Sequence, residues 1–232
     1  MKKVLYPILL IIFTVLLAIA LFYTLRGQKG KTFSQIHDAS LLNRRGTEFA
    51  KLGALDSAIA CFVNAIRLAP QAAEARNNLG AALNSKGMYD SAIVVLRDAL
   101  KLKGDYPEAY FNLAKSFFEK KEYDSAIVYI NKGLGLKPDD PGAYILYGDC
   151  LDRKGKYASS ESLYRKADSL LPDNFKILYS IGNSLVSQGR YGDAIPYYKR
   201  ATELEPKNPN GWNNLGVAYA ANREYDKAIC AL

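Results

Sequence analysis

The chain has 232 residues, of which 49% are hydrophobic and 23% are charged, a composition that excludes an intrinsically disordered protein. The net charge is +8, but five basic residues and no acidic residue lie within residues 1–31, so residues 32–232 carry only +3. This near balance argues against a nucleic-acid partner. The cysteines are widely spaced and the histidine is single (Cys61, Cys150, Cys230 and His37), which removes most Cys- or His-centred chemistry. We therefore expect no metal and no other cofactor.

The N-terminal segment is strongly apolar. Residues 4–25 carry no charge and would span about 33 Å as a helix, enough to cross a hydrocarbon core of about 30 Å. We predict that residues 1–31 form a transmembrane anchor, that residues 32–38 form a linker, and that the protein is a single-pass membrane protein. A small-x-small pattern at 18–20 supports the alternative of a cleaved signal peptide. Both routes favour a body outside the cytoplasm, in the periplasm if the source is bacterial.

The rest of the chain repeats with a period of 34 residues. A small residue recurs at this spacing: Gly46, Gly80, Ala114, Gly148, Gly182 and Gly216. An aromatic residue follows the same step: Tyr89, Tyr123, Tyr157, Tyr191 and Tyr225. The predicted copies are 39–72, 73–106, 107–140, 141–174 and 175–208, with a partial copy at 209–232.

Each copy has the pattern of two short helices. In residues 73–106, apolar side chains recur at three- and four-residue spacing in two runs that Gly87 separates. A glycine at that place can take the left-handed conformation that ends a helix. Asp56, Asp90 and Asp124 begin the second helices, where a carboxylate can accept free backbone N–H groups. The sequence therefore predicts an all-α protein of repeated helix–turn–helix units.

The last copy carries the most complete pattern of large, small and aromatic residues: Trp212, Leu215, Gly216, Tyr219 and Ala228. This pattern resembles the signature of the tetratricopeptide repeat. The resemblance implies a right-handed superhelical solenoid, preceded here by one transmembrane helix. It also implies that the first helix of each copy lines a concave groove that binds protein partners.

Candidate groove residues lie on the predicted first helices, outside the positions that the repeat pattern requires. They are Asn43, Thr47, Asn77, Asn78, Phe111, Asn112, Lys115, Ile145, Asp149, Tyr179, Asn183, Asn213 and Asn214. An amide side chain both donates and accepts hydrogen bonds, so the asparagines suit a peptide backbone. Asn78, Asn112 and Asn214 share one repeat position, an incomplete likeness to the asparagine ladder of O-linked N-acetylglucosamine transferases. The alternative is that these side chains are merely solvated.

Other known sites of this family and of enzymes are not matched. A carboxylate clamp pairs Lys with Asn, but the matching positions hold other pairs: Asn43 with Thr47, Asn77 with Ala81, and Phe111 with Lys115. No nucleotide-binding, hydrolase or metalloprotease motif occurs. We therefore expect a non-enzymatic protein-interaction scaffold, used for assembly of a membrane or envelope complex. The alternative is the substrate-recruiting arm of a larger enzyme such as a glycosyltransferase. The unfinished last copy also predicts self-association through the C-terminal half-repeat.

Overall fold

The computed structural model describes residues 34–231, which form twelve α-helices and no β-strand. The first helices of the pairs are α1 (34–51), α3 (Ala73–Ser85), α5 (Pro107–Glu119), α7 (Pro141–Arg153), α9 (Phe175–Ser187) and α11 (Pro209–Ala221). The second helices are α2 (Leu55–Leu68), α4 (Tyr89–Leu102), α6 (Tyr123–Leu136), α8 (Tyr157–Leu170), α10 (Tyr191–Leu204) and α12 (Tyr225–Ala231). Consecutive helices from α2 to α12 pack against each other, so the described chain is the predicted all-α helical-repeat solenoid. The right-handed sense of the superhelix stays a prediction.

The turn inside each pair depends on a residue with a left-handed backbone. Four of these residues are glycines with φ between 72° and 79°: Gly53, Gly87, Gly155 and Gly189. Lys121 and Arg223 occupy the same repeat position, and both have φ of 63°. The sequence pattern indicated this conformation only for the glycines. The structure shows that the repeat geometry imposes it on the lysine and the arginine as well, because the turn has the same length in every pair.

Lys121→Gly is expected to raise the free energy of unfolding by about 0.5–1 kcal/mol, because glycine occupies the left-handed region without the steric cost of a Cβ atom. The measurement is urea denaturation followed by circular dichroism. Lys121→Ala is the matched control, since it removes the same side chain but keeps the Cβ atom at φ of 63°. A lower stability of Lys121→Gly would contradict the prediction.

The aspartates near the starts of the second helices do not cap them, contrary to the sequence-based expectation. No side chain forms a capping hydrogen bond at the N-terminus of α2, α4 or α6. The aspartates instead form ion pairs with lysines at the ends of the next first helices. These ion pairs are Lys86 with Asp56, Lys120 with Asp90, and Lys154 with Asp124. The three pairs link the first four copies in succession, although exposed ion pairs of this kind contribute little stability.

First helices of adjacent copies contact each other in the middle of the stack. Besides packing on its neighbours in sequence, α3 contacts α5, and α5 contacts α7. First helices of adjacent copies therefore approach each other, as they do on the inside of a curved solenoid. The exposed faces of α3, α5 and α7 thus form one continuous surface, which we call the inner surface.

The hydrophobic core divides at the fourth helix pair. One large cluster of buried residues lies within 58–150, and a second lies within 164–228. The other five second helices carry an Ala-Ile dipeptide at the buried position, but α8 carries Ser160 and Glu161 there. The apolar contact between copies is thus replaced by a polar one at this point.

Hydrogen bonds join α8 to α9 at this point. Ser160 is fully buried, and its hydroxyl lies 2.9 Å from the hydroxyl of Ser184. The buried carboxylate of Glu161 accepts bonds from Gln188 Nε2 at 2.9 Å and from Arg190 at 3.0 Å. Burial is the largest single influence on the pKa of Glu161 and acts to raise it, but the hydrogen bonds from Gln188 and Arg165 and the charges of Arg165 and Arg190 together lower it. The fourth pair is therefore held to the fifth by a satisfied polar network.

The predicted membrane localisation is corrected on the described structure. No helix within residues 34–231 has both the length and the apolar character needed to cross a bilayer. The physical reason is that α2 to α12 have at most 14 residues, about 21 Å, and that each has a polar face. The anchor predicted at 1–31, with its apolar span at 4–25, lies outside the described residues.

Candidate functional site

The inner surface contains a cleft of about 520 Å³ between α5, α7 and the beginning of α9. Its walls bring together apolar, amide and charged side chains from three copies. The lining residues are Phe111, Asn112, Lys115, Phe118, Glu119, Asp140, Gly142, Ala143, Ile145, Leu146, Asp149 and Lys176. We call this space the central cleft.

The apolar floor of the central cleft is preorganised. Phe111 is half-buried because its ring lies against the bare Cα of Gly133 in α6, where an added Cβ would come within 2.2 Å of the ring. Ile145 and Leu146 of α7 are also half-buried, since each packs on one of the two core clusters. These three side chains are held by packing, so the apolar surface that they offer needs little rearrangement to receive a ligand.

Asp149 supplies a fixed carboxylate beside this floor. Its Oδ1 accepts a hydrogen bond of 2.7 Å from the hydroxyl of Tyr164, a core residue of α8. Its Oδ2 lies 3.7 Å from Nζ of Lys176, at the beginning of α9. Burial raises the pKa of Asp149, while the Tyr164 hydroxyl and Lys176 act in the opposite direction. The same Tyr164 hydroxyl lies 3.0 Å from Oδ2 of Asp152.

The raised pKa of Asp149 gives a stability prediction with a defined sign. Ionisation is harder in the folded state than in the unfolded state, so this group costs stability once the pH rises through its folded pKa. Asp149→Asn keeps an acceptor for Tyr164 and should be at least as stable as the wild type at pH 7. Near pH 4 the two proteins should converge as the carboxyl becomes protonated. Urea denaturation at both pH values measures this, and a variant that is less stable at pH 7 would contradict it. The charged groups around Asp149 are Asp152 and Arg153 of α7 and Lys176 of α9.

The N-terminal asparagines are connected to one another across α1, α3 and α5. Asn78 Nδ2 donates to Asn43 Oδ1 at 3.0 Å, and Asn112 Nδ2 donates to Asn77 Oδ1 at 2.9 Å. A longer contact of 3.4 Å joins Asn77 Nδ2 to Asn78 Oδ1. Residues that are 35 apart in sequence thus bond between adjacent first helices. Asn77 is buried, but Asn78 and Asn112 are half-buried, and a primary amide has a second N–H and a second lone pair, so these two still have capacity for a ligand.

The C-terminal candidates form a second hydrogen-bonded group on α9 and α11. Asn183 Oδ1 accepts from the buried Tyr198 hydroxyl at 2.7 Å and from Asn214 Nδ2 at 2.9 Å. Asn214 Nδ2 also donates to the Tyr179 hydroxyl at 2.9 Å, and Asn213 Nδ2 lies 3.4 Å from Asn214 Oδ1. These amides stabilise the packing of the last copies, and Asn183 has both lone pairs engaged.

The structure thus separates the sequence-predicted residues into groups. Phe111, Asn112, Lys115, Ile145 and Asp149 share the central cleft. Asn78 and Thr47 line a smaller hollow of about 310 Å³ between α1 and α3, and neither cavity includes Asn43, Asn77, Tyr179, Asn183, Asn213 or Asn214.

Sequence reasoning missed several residues of the central cleft, and Lys176, Leu146 and Glu119 matter most. Lys176 lies in the first turn of α9, and Glu119 is the last residue of α5, so both are at helix ends where the repeat pattern places no groove position. Leu146 shares the repeat position of Asn78 and Asn112 and could have been found from that alignment.

Sequence profiles of repeat families match most of the described chain. A profile described as TPR repeat matches residues 46–87 and 182–222, and one described as tetratricopeptide repeat matches residues 83–150. A profile of the anaphase-promoting complex, cyclosome, subunit 3 matches residues 119–201. No curated protein matches the chain significantly.

Solved structures with the same architecture include three of differing likeness. PilF of Pseudomonas aeruginosa has a TM-score of 0.76 and 16% identity over 85% of this chain and 90% of its own. MamA has a TM-score of 0.61 and 25% identity over 73% of this chain and 93% of its own. YrrB, described as a TPR protein with an unusual peptide-binding site, has a TM-score of 0.59 and 20% identity over 75% of this chain and 90% of its own.

Proposed function

The chain belongs to the tetratricopeptide repeat family, and from this premise we propose that it is a non-enzymatic scaffold that binds an extended peptide segment of a partner protein along its inner surface. Folds of this family generally bind proteins and generally lack catalytic activity. The proposed partner segment crosses α1, α3, α5, α7 and the beginning of α9. It need not be helical, since amides on this surface suit a free peptide backbone.

The central cleft is the observation that carries the proposal. It is a concave, largely preformed space with an apolar floor and a few fixed polar groups, which is the usual character of a binding site. Phe111 and Ile145 offer surface for an apolar side chain of the segment, and Asn112 and Lys115 lie on the wall beside them. The apolar floor would supply affinity, while the polar groups would fix the direction and register of the segment.

A smaller hollow between α1 and α3 supports the extended form of the ligand. Its volume is about 310 Å³, and its lining includes Leu55, Phe62 and Ala82, with Asn78 beside them. Asn78 is connected through Asn77 to Asn112 of the central cleft. A segment that occupies both spaces would pass over these amides, which explains why hydrogen-bonding groups lie between the two. The likeness to YrrB, whose published description includes a peptide-binding site, is one of fold.

Selection from a phage-displayed library of random dodecapeptides on the immobilised full-length protein tests the proposal. Selected peptides should lose affinity about tenfold or more for Ile145→Arg, because the new side chain fills the central cleft. Val128→Arg is the matched control, since Val128 lies on α6, is 52% exposed and does not line the cleft. Fluorescence polarisation gives the affinities. The proposal fails if no peptide is selected or if the two variants weaken binding equally.

A further inference from the structure

Asp149 and its counterpart in the next copy differ in how their side-chain oxygens are bonded. Asn183 occupies the same repeat position, and its Oδ1 accepts bonds from both Tyr198 and Asn214. Oδ1 of Asp149 accepts the equivalent tyrosine bond, from Tyr164. The position that matches Asn214 is Ser180, which makes no side-chain bond to Asp149 in the described part of the chain. The second oxygen of Asp149 therefore remains for a group in the central cleft.

A cation already approaches this oxygen from the cleft. Nζ of Lys176 lies 3.7 Å from Oδ2 of Asp149, which is long for a charge-assisted hydrogen bond. The side chain of Lys176 is 65% exposed, whereas that of Asp149 is 25% exposed. The carboxylate is thus fixed by the core, and the lysine can swing into solvent at little cost. A cation from a ligand can take its place at a shorter distance.

The charged residues that line the central cleft also favour a cationic ligand. Three carboxylates, those of Glu119, Asp140 and Asp149, line it against two lysines, Lys115 and Lys176. Both lysines are exposed, and Lys115 forms no ion pair within residues 34–231. Asp140 is already paired with Lys137 at 3.0 Å and accepts the backbone N–H of Ala143, so its charge is engaged within the fold. Asp149, which is 25% exposed, is the partly desolvated charge left to meet a ligand, and such a charge attracts an opposite charge more strongly than a solvated one does.

The apolar floor matches the stem of a basic side chain. Phe111, Ile145 and Leu146 line the same cleft as Asp149, so a methylene chain can lie on them while its charged end reaches the carboxylate. The ring of Phe111 adds a cation–π contribution when the charged group lies over its face. An acidic side chain would instead have to lie on this floor beside a fixed negative charge.

We propose that the central cleft selects a lysine or arginine side chain of the bound peptide, with Asp149 as its counter-ion and the Phe111–Leu146 floor under its stem. The inference rests on the proposed function and names the partner class: a peptide segment with a basic residue at the position that enters this cleft. Asp149 determines specificity, while the affinity also depends on the rest of the inner surface.

The experiment is the same peptide selection on the full-length protein, carried out in parallel on wild type and Asp149→Asn. Asparagine keeps the acceptor for Tyr164, so the fold should persist, and a thermal melt checks this. Wild-type peptides should be enriched in Lys or Arg at one position, and Asp149→Asn peptides should lack that enrichment. Asp139→Asn is the matched control, because Asp139 is exposed in the preceding turn and does not line the cleft.

A double-mutant cycle on one selected peptide separates direct contact from indirect effects. Replacing its basic residue by norleucine should weaken binding to the wild type about tenfold or more. The same replacement should cost little with Asp149→Asn, because the contact is already lost. Equal losses with both proteins, or wild-type peptides enriched in Asp or Glu, would overturn the inference while leaving the proposed function intact. Failure of the wild type to select any peptide would overturn both.

Discussion

Gly148→Ala is expected to lower the free energy of unfolding by about 1–3 kcal/mol, although alanine is normally the better helix former. Gly148 lies inside α7, and a Cβ atom there would come within 2.5 Å of the ring of Tyr164. The ring cannot move away freely, because its hydroxyl is bonded to Asp149 at 2.7 Å and lies 3.0 Å from Asp152. The substitution therefore either forces α7 and α8 apart or breaks these hydrogen bonds. Urea denaturation followed by circular dichroism measures the effect.

The matched control is the same substitution at Gly135, in the last turn of α6. Nothing lies within 4 Å of a Cβ atom added there, so alanine should raise the free energy of unfolding by about 0.5–1 kcal/mol through its helix propensity alone. The two substitutions are chemically identical and should have opposite signs. If Gly148→Ala were as stable as the wild type, the close approach of α7 and α8 would not be a requirement of this fold.

Asp152→Ala should also destabilise the protein, by about 1–3 kcal/mol, because its carboxylate connects α7, α8 and α9. Oδ1 accepts a bond from Ser184 at 3.0 Å and another from Ser160, and Oδ2 lies 3.0 Å from the Tyr164 hydroxyl. Both serines are fully buried. Alanine leaves each hydroxyl with fewer partners in a place that water does not reach, at the boundary between the two core clusters.

Asp168→Ala on α8 is the matched control for Asp152→Ala. Burial and the neighbouring Asp173 raise the pKa of Asp168, so its ionisation is less favourable in the folded state than in the unfolded state. Its removal should leave the free energy of unfolding unchanged or slightly higher. A further measurement is native-state hydrogen exchange, in which Asp152→Ala should weaken protection in α8 and α9 before it does so in α3 to α6. Uniform loss across all helices would argue against a boundary in the fourth pair.

The asparagines show how far sequence reasoning could reach towards the site. The repeat pattern placed them on the first helices, and the structure has them there. Their amides were predicted to form hydrogen bonds with the backbone of a ligand. In the structure, Asn43, Asn77, Asn78 and Asn112 form hydrogen bonds with one another instead. The sequence could not decide this, because it depends on how closely adjacent copies approach. The role of the remaining amide capacity in binding stays a prediction.

By itself the sequence determined the helix pairs and where the turns between them lie. These features follow from local rules, since a 34-residue period with small residues at fixed places permits essentially one stacking of neighbours. Only the tertiary structure decided which of the candidates meet in the central cleft, and it added Lys176 beside Asp149. It also showed the division of the core at Ser160 and Glu161. The physical reason is that these contacts join side chains of different copies, whose distances depend on the curvature of the whole stack and not on any single repeat.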